Sequence, residues 1–144
     1  MPTFDSDQIA KLDLAPTASP LNTDELLGRV RIARFSHTIP TGGYAANDVL
    51  ELIDLPKDAR VIGGRVVFSA IGAGRTMDIG TAADVDRYLD GADVSAAGGA
   101  DLANTIVLNF HEKLTAKTRV QATLLGDTFP AAAVINGHFL FVTD

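Results

Sequence analysis

After Arg29, apolar and polar side chains alternate with period two along most of the chain, and glycine or proline interrupts the alternation at short intervals. Period two is what a strand with one buried and one solvated face requires, whereas a helix needs apolar positions three and four apart over ten or more residues. No segment is long enough and regular enough to make helices that cover a parallel sheet, so an antiparallel β architecture is the economical solution.

The alternation places strands at residues 30–35, where Val30 and Ile32 flank Arg31, and at 47–54, closed by Pro56-Lys57-Asp58. A third runs over 60–71 and contains Gly63-Gly64. Too few residues precede the glycines to form a hairpin arm, so the pair reads as a bulge in one long strand. Residues 75–80, 102–110 and 117–125 are further candidates. Residues 82–90 read as a helical turn or loop, with Thr81 and Asp84 spaced as in a capping box and Gly91 preventing a longer helix. Near the C-terminus, Asn136-Gly137 stands between apolar segments 132–135 and 138–142. Asn-Gly is the strongest local hairpin signal, because a two-residue turn needs positive φ at both positions. These seven or eight strands predict an all-β antiparallel sandwich, jelly-roll-like.

The length, 144 residues, fits one domain. Twelve Lys and Arg against eighteen Asp and Glu give a formal charge of -6, which disfavours a grip on nucleic acid backbone. With no cysteine, disulfides, thiol nucleophiles and zinc fingers are excluded. The acidic N-terminal stretch lacks the order of a secretory signal, and no apolar run is long enough to span a bilayer as a helix.

Residues 1–28 form a segment of different character, an extended N-terminal arm ahead of a sandwich domain at 29–144. Asp5, Asp7, Asp13, Asp24 and Glu25 stand against Lys11 alone, and Pro2, Pro16 and Pro20 are spaced through it. It has too few large apolar groups to build a core. One reading is a floppy leader; the other is an arm that orders against a neighbouring subunit. In the second, Leu12, Leu14, Leu21, Leu26 and Leu27 are the assembly contacts.

Chemistry is sparse. His37, His111 and His138 have no metal-ligand spacing. Asp84, Asp86, Asp90 and Asp93 surround Gly91, but the run does not meet the ligand pattern of a calcium loop. Gly72-Ala73-Gly74-Arg75 lacks the ending of a phosphate loop, and no serine sits in a nucleophile elbow. Glu51 and Asp54 make a common kind of surface pair, and Tyr44 and Tyr88 are thin support for a sugar or single-strand platform. The expectation is no enzyme and no catalytic, cofactor or metal site.

Four stretches carry a family likeness: Tyr44-Ala45-Ala46-Asn47-Asp48-Val49-Leu50-Glu51-Leu52; Leu55-Pro56-Lys57-Asp58-Ala59-Arg60-Val61; Thr76-Met77-Asp78-Ile79-Gly80; and the Asp-rich run from Asp84 to Asp93. Over about residues 40–142 the chain resembles small β-sandwich structural proteins of tailed bacteriophages. The resemblance implies that Ala59-Arg60-Val61 starts a strand and that the Asp-rich run is a connecting loop. It implies a virion protein on the capsid surface, first a cement or decoration protein that forms a homotrimer on the major capsid protein. A tail, fibre or baseplate component is the alternative. A carbohydrate-binding or small hydrolase-like sandwich is a further one, and it needs an aromatic or acidic groove that the composition disfavours.

Overall fold

The computed structural model describes residues 29–102 and 112–143. The expected strand at 102–110 therefore falls almost wholly outside the described residues, as do the five leucines of the arm. Eight strands follow in order: β1 (Arg31–Thr38), β2 (Val49–Leu55), β3 (Ala59–Phe68), β4 (Thr76–Gly80), β5 (Leu89–Asp93), β6 (Gly98–Asp101), β7 (Thr118–Leu125) and β8 (Val134–Thr143). They form two four-stranded sheets, β1-β8-β3-β6 and β2-β7-β4-β5, with every pairing antiparallel. The pairs are nested: β1 with β8, β2 with β7, β3 with β6 and β4 with β5, falling alternately in one sheet and the other. That is the winding of a jelly roll, and no helix occurs among the described residues.

Alternation fixes which side of each strand meets the other sheet. On β7, Val120, Ala122 and Leu124 are fully buried, while Arg119 is exposed and Gln121 and Thr123 are half-buried. On β8, Ile135, Phe139 and Phe141 point inward. Phe139 is the centre of an aromatic cluster, 6.1 Å from the Phe35 ring and 5.2 Å, edge on, from Tyr88. Met77, Ile79, Leu55 and Phe129 complete the interior between the sheets.

Several expectations hold. Strand β3 starts at Ala59, directly after the Pro56-Lys57-Asp58 turn, where Asp58 takes φ 68°. A bulge does interrupt one long strand here, at Ile62 directly before the Gly63-Gly64 pair: the register of β3 against β8 shifts between Val61 and Gly63. Gly64 has φ 154°, and a Cβ there would run into the His138 carbonyl oxygen, so only glycine fits.

The hairpin at Asn136-Gly137 is overturned. Strand β8 runs unbroken through it, with Phe35 opposite Gly137 and Ser36 opposite Asn136, and neither residue has positive φ. Asn136 accepts a hydrogen bond from the Ser36 hydroxyl at 2.6 Å. Gly137 is there for space: a Cβ would lie 2.5 Å from Cζ of Phe35 and 2.5 Å from the Arg65 carbonyl oxygen. The same dipeptide that suits a turn here makes room for a ring in the core.

The Asp-rich run is likewise only partly a loop. Residues 81–88 connect β4 to β5, whereas Asp90 and Asp93 lie on β5 itself. Asp84 N–H does donate to Thr81 Oγ1 at 3.2 Å, as a cap would, but no helix follows. Burial of Tyr88 and Leu89 pulls the chain straight back into the sheet, where Tyr88 N–H donates to the Ile79 carbonyl at 2.8 Å.

Candidate assembly surface

On the outer face of the β2-β7-β4-β5 sheet, the charged side chains of β2 and β7 pair with one another. Arg119 on β7 lies opposite Asp54 on β2 and forks onto it, Nε to Oδ1 at 2.7 Å and a terminal nitrogen to Oδ2 at 3.0 Å. Its other nitrogen reaches Glu51 at 2.9 Å, and Lys117 approaches Asp54 at 2.9 Å. The Arg119 hydrogen bonds, then those of Lys117, hold the Asp54 carboxyl well below the usual carboxylate range. Asp54 is thus clamped in ionised form, the opposite of what a general acid requires.

The outer face of the β1-β8-β3-β6 sheet is built differently. Register places Arg34 of β1, His138 of β8, Arg65 of β3 and Asp101 of β6 side by side in one row across four strands. Only the far end of the row is paired, Arg65 with Asp101 at 2.7 Å. The adjacent row is Ile32, Leu140 and Gly63. Ile32 is half exposed, and a Cβ on Gly63 would meet nothing within 4 Å, so the row stays open. Val67 of β3 adds an exposed valine on the same sheet.

The other residues singled out from the sequence do not converge. Asp84 and Asp86 share the β4–β5 loop, and the hydrogen bond from Asp86, followed by burial and its charge, raises the Asp84 carboxyl. Asp93 instead accepts from Ser95 N–H at 2.8 Å. His37 stacks on Tyr44 with Nε2 2.9 Å from its hydroxyl, His138 lies in the outer row, and His111 is outside the described residues. Among the described residues, no group of three or more His, Asp or Glu side chains gathers as metal ligands do. Arg75 turns back to donate to the Thr128 carbonyl and pairs with Asp127 at 3.7 Å, so it ties two loops together.

No protein-family model and no curated protein matches the chain. Solved structures do. A chain of the cyanophage Pam1 capsid asymmetric unit superimposes with a TM-score of 0.69 at 20% identity, covering 100% of both chains. A chain from the capsid of Ralstonia phage GP4 gives 0.69 at 20% identity, over 81% of this chain and 86% of that one. A third, from the acidic stable capsid structure of Helicobacter pylori bacteriophage KHP30, gives 0.59 at 15%, over 81% and 90%. The fold is one found in phage capsids. The likeness to phage structural proteins that the sequence suggested is met at the level of fold, without a sequence signature.

Sequence reasoning did not find the outer row. Arg34, Arg65 and His138 are far apart in the chain, and only the β1-β8-β3 register makes them neighbours. The one local signal was the cluster of Arg29, Arg31 and Arg34 in an otherwise acidic chain.

Proposed function

We propose that the protein is a non-enzymatic structural component of a phage virion. It acts as a cement or decoration protein on the capsid surface, associates with copies of itself as a homotrimer, and binds the major capsid protein. The observation that carries this reading is the match of the whole jelly roll, end to end, to a chain of a phage capsid asymmetric unit. A shell protein needs a rigid module and surfaces that bury on assembly, and an extended segment adds grip on the next subunit. Residues 1–28, with Leu12, Leu14, Leu21, Leu26 and Leu27, supply that segment. The carbohydrate-binding alternative loses its platform, since Tyr88 is buried against Phe139 and Tyr44 stacks on His37.

Labelling the protein on intact particles tests the reading. Cement coats the head in many symmetric copies, whereas a tail, fibre or baseplate part marks a single vertex. A full-length chain that stays monomeric at high concentration and fails to bind particles lacking it overturns both addresses.

A further inference from the structure

The start of β1 leaves more unmet than any other part of the described surface. Val30 and Ile32 are 58% and 50% exposed. Arg34, which the register puts on the same side of the strand as Ile32, forms no ion pair among the described residues, and neither do Arg29 and Arg31, which alternate to the other side. Among the described residues β1 is also a sheet edge, with no described strand paired to the other side of its backbone. Apolar surface, uncompensated positive charge and an open edge coincide on one strand, and surfaces of that kind mark interaction sites.

We propose that this face is the docking site for residues 1–28 of a second copy of the chain, its leucines covering Val30, Ile32 and Leu140 and its carboxylates facing Arg34 and Arg65. The inference rests on the proposal that residues 1–28 are an assembly segment, and adds where they bind. Charge complementarity is the first argument. The segment carries Asp5, Asp7, Asp13, Asp24 and Glu25 against Lys11 alone, and it would meet arginines in a protein whose overall charge is -6. Pattern is the second. The apolar row Ile32–Leu140–Gly63 and the basic row Arg34–His138–Arg65 are two residues apart along their strands, about 7 Å. In Leu12-Asp13-Leu14, an extended backbone turns both leucines to one side and the carboxylate to the other. Reach is the third. At about 3.3 Å per residue, 28 residues can span roughly 90 Å, several times the ~13 Å radius of gyration of a domain this size. Arg29 joins β1 end-on, so covering its own outer face demands a reversal of the chain, while covering a neighbour's demands none.

Sedimentation equilibrium of the full chain supplies the test. Ile32→Ser with Arg34→Glu alters two exposed side chains, and circular dichroism checks that the fold survives. The expected result is a self-association constant weakened at least about tenfold, equivalent to roughly 1.4 kcal/mol. Adding Asp13→Arg and Asp24→Arg to Arg34→Glu is expected to recover most of the loss. Unchanged association of the Ile32→Ser, Arg34→Glu variant, or no recovery on charge exchange, overturns the site. If deletion of residues 1–25 weakens association while these variants do not, the segment binds elsewhere and only this inference falls. If the deletion has no effect, or the full chain is monomeric throughout, the assembly role of the segment falls with it. Because the chain has no cysteine, Leu14→Cys and Ile32→Cys on separate chains can be mixed and oxidised. A cross-linked dimer is expected; a bond formed only within a chain carrying both changes shows that each copy covers itself, and overturns the proposal.

Discussion

On the outer face of the β2-β7-β4-β5 sheet, Arg119 holds Asp54 at 2.7 Å and Glu51 at 2.9 Å. On the outer face of the β1-β8-β3-β6 sheet, Arg34 meets no carboxylate among the described residues, and Ile32 beside it stands half in water. Among the described residues both sheets have four strands and both contribute to one core, so the contrast does not arise from the needs of the fold. A surface that satisfies its own charges is finished within one copy. In the proposed assembly, a surface that leaves Arg34 unpaired next to exposed Ile32 is completed by the acidic leucine-bearing segment of a second copy.

The comparison claims that the sheets differ outside and not inside, and the largest expected effects test the inside. Leu124 of β7 and Ile135 of β8 are fully buried, one on each sheet. Leu124→Ala and Ile135→Ala are each expected to cost about 2–5 kcal/mol, through lost transfer energy plus a cavity. Urea denaturation of both variants measures it, and a near-neutral result for either would mean that sheet is not fully part of the shared core. Next is Gly137→Val, expected to destabilise by about 1–3 kcal/mol because new atoms are forced against the Phe35 ring and the Arg65 carbonyl. Gly137→Ala should cost less than Val but remain measurable, and an unchanged melting temperature for both would show that the ring does not lie over this position.

Gly137 also marks the limit of what the sequence disclosed. Alternation located β1, β2, β3, β4 and β7; it is cleanest on β7, where Val120, Ala122 and Leu124 are buried and their neighbours are not, whereas on β4 Met77 to Gly80 are all buried. It missed β5 and β6. Leu89-Asp90-Gly91-Ala92-Asp93 and Gly98-Gly99-Ala100-Asp101 are short, small and polar, and they are extended because β4 and β3 offer them ladder partners. Such strands owe their conformation to context more than to propensity. Asn136-Gly137 failed for a related reason: glycine answers two different demands, positive φ and missing bulk, and a single sequence does not tell them apart. The surface was less legible still. A cross-strand row depends on register, and register is set by bulges such as the one at Ile62, whose effect on facing residues is not local in sequence.

Outside the core, exposed aliphatic residues at the two sheet edges sharpen the contrast. Ile32 on β1 and Val49 on β2 are exposed to nearly the same extent, 50% and 52%. Ile32→Ser is expected to weaken self-association several-fold, in keeping with roughly 1 kcal/mol for a partly buried aliphatic contact. Val49→Ser should leave it unchanged, and neither should move the melting temperature appreciably. Equal weakening by both, read by sedimentation, would mean that assembly uses the two edges alike and that the charge pattern does not choose between them.

The smallest expected effect concerns Asp54. Its carboxyl is held low chiefly by the Arg119 hydrogen bonds and then by Lys117. A folded-state pKa below the unfolded value favours the ionised group in the native protein. The contribution to stability is therefore fully present above the ordinary aspartate pKa of about 3.9 and is lost only as pH falls through the lower folded value. Between pH 5 and 8 this group should contribute no pH dependence. Carboxyl chemical shifts followed by NMR should place the Asp54 midpoint below the ordinary range. Arg119→Ala should raise it while Lys117 retains part of the shift. Because the network is solvent-exposed, the same substitution should scarcely alter the urea midpoint, as surface ion pairs add little to stability. An ordinary midpoint for Asp54 in the parent protein would show that Arg119 does not hold it in solution. The Arg119 cluster would then carry free charges too, and the difference between the two sheets would lose its electrostatic half.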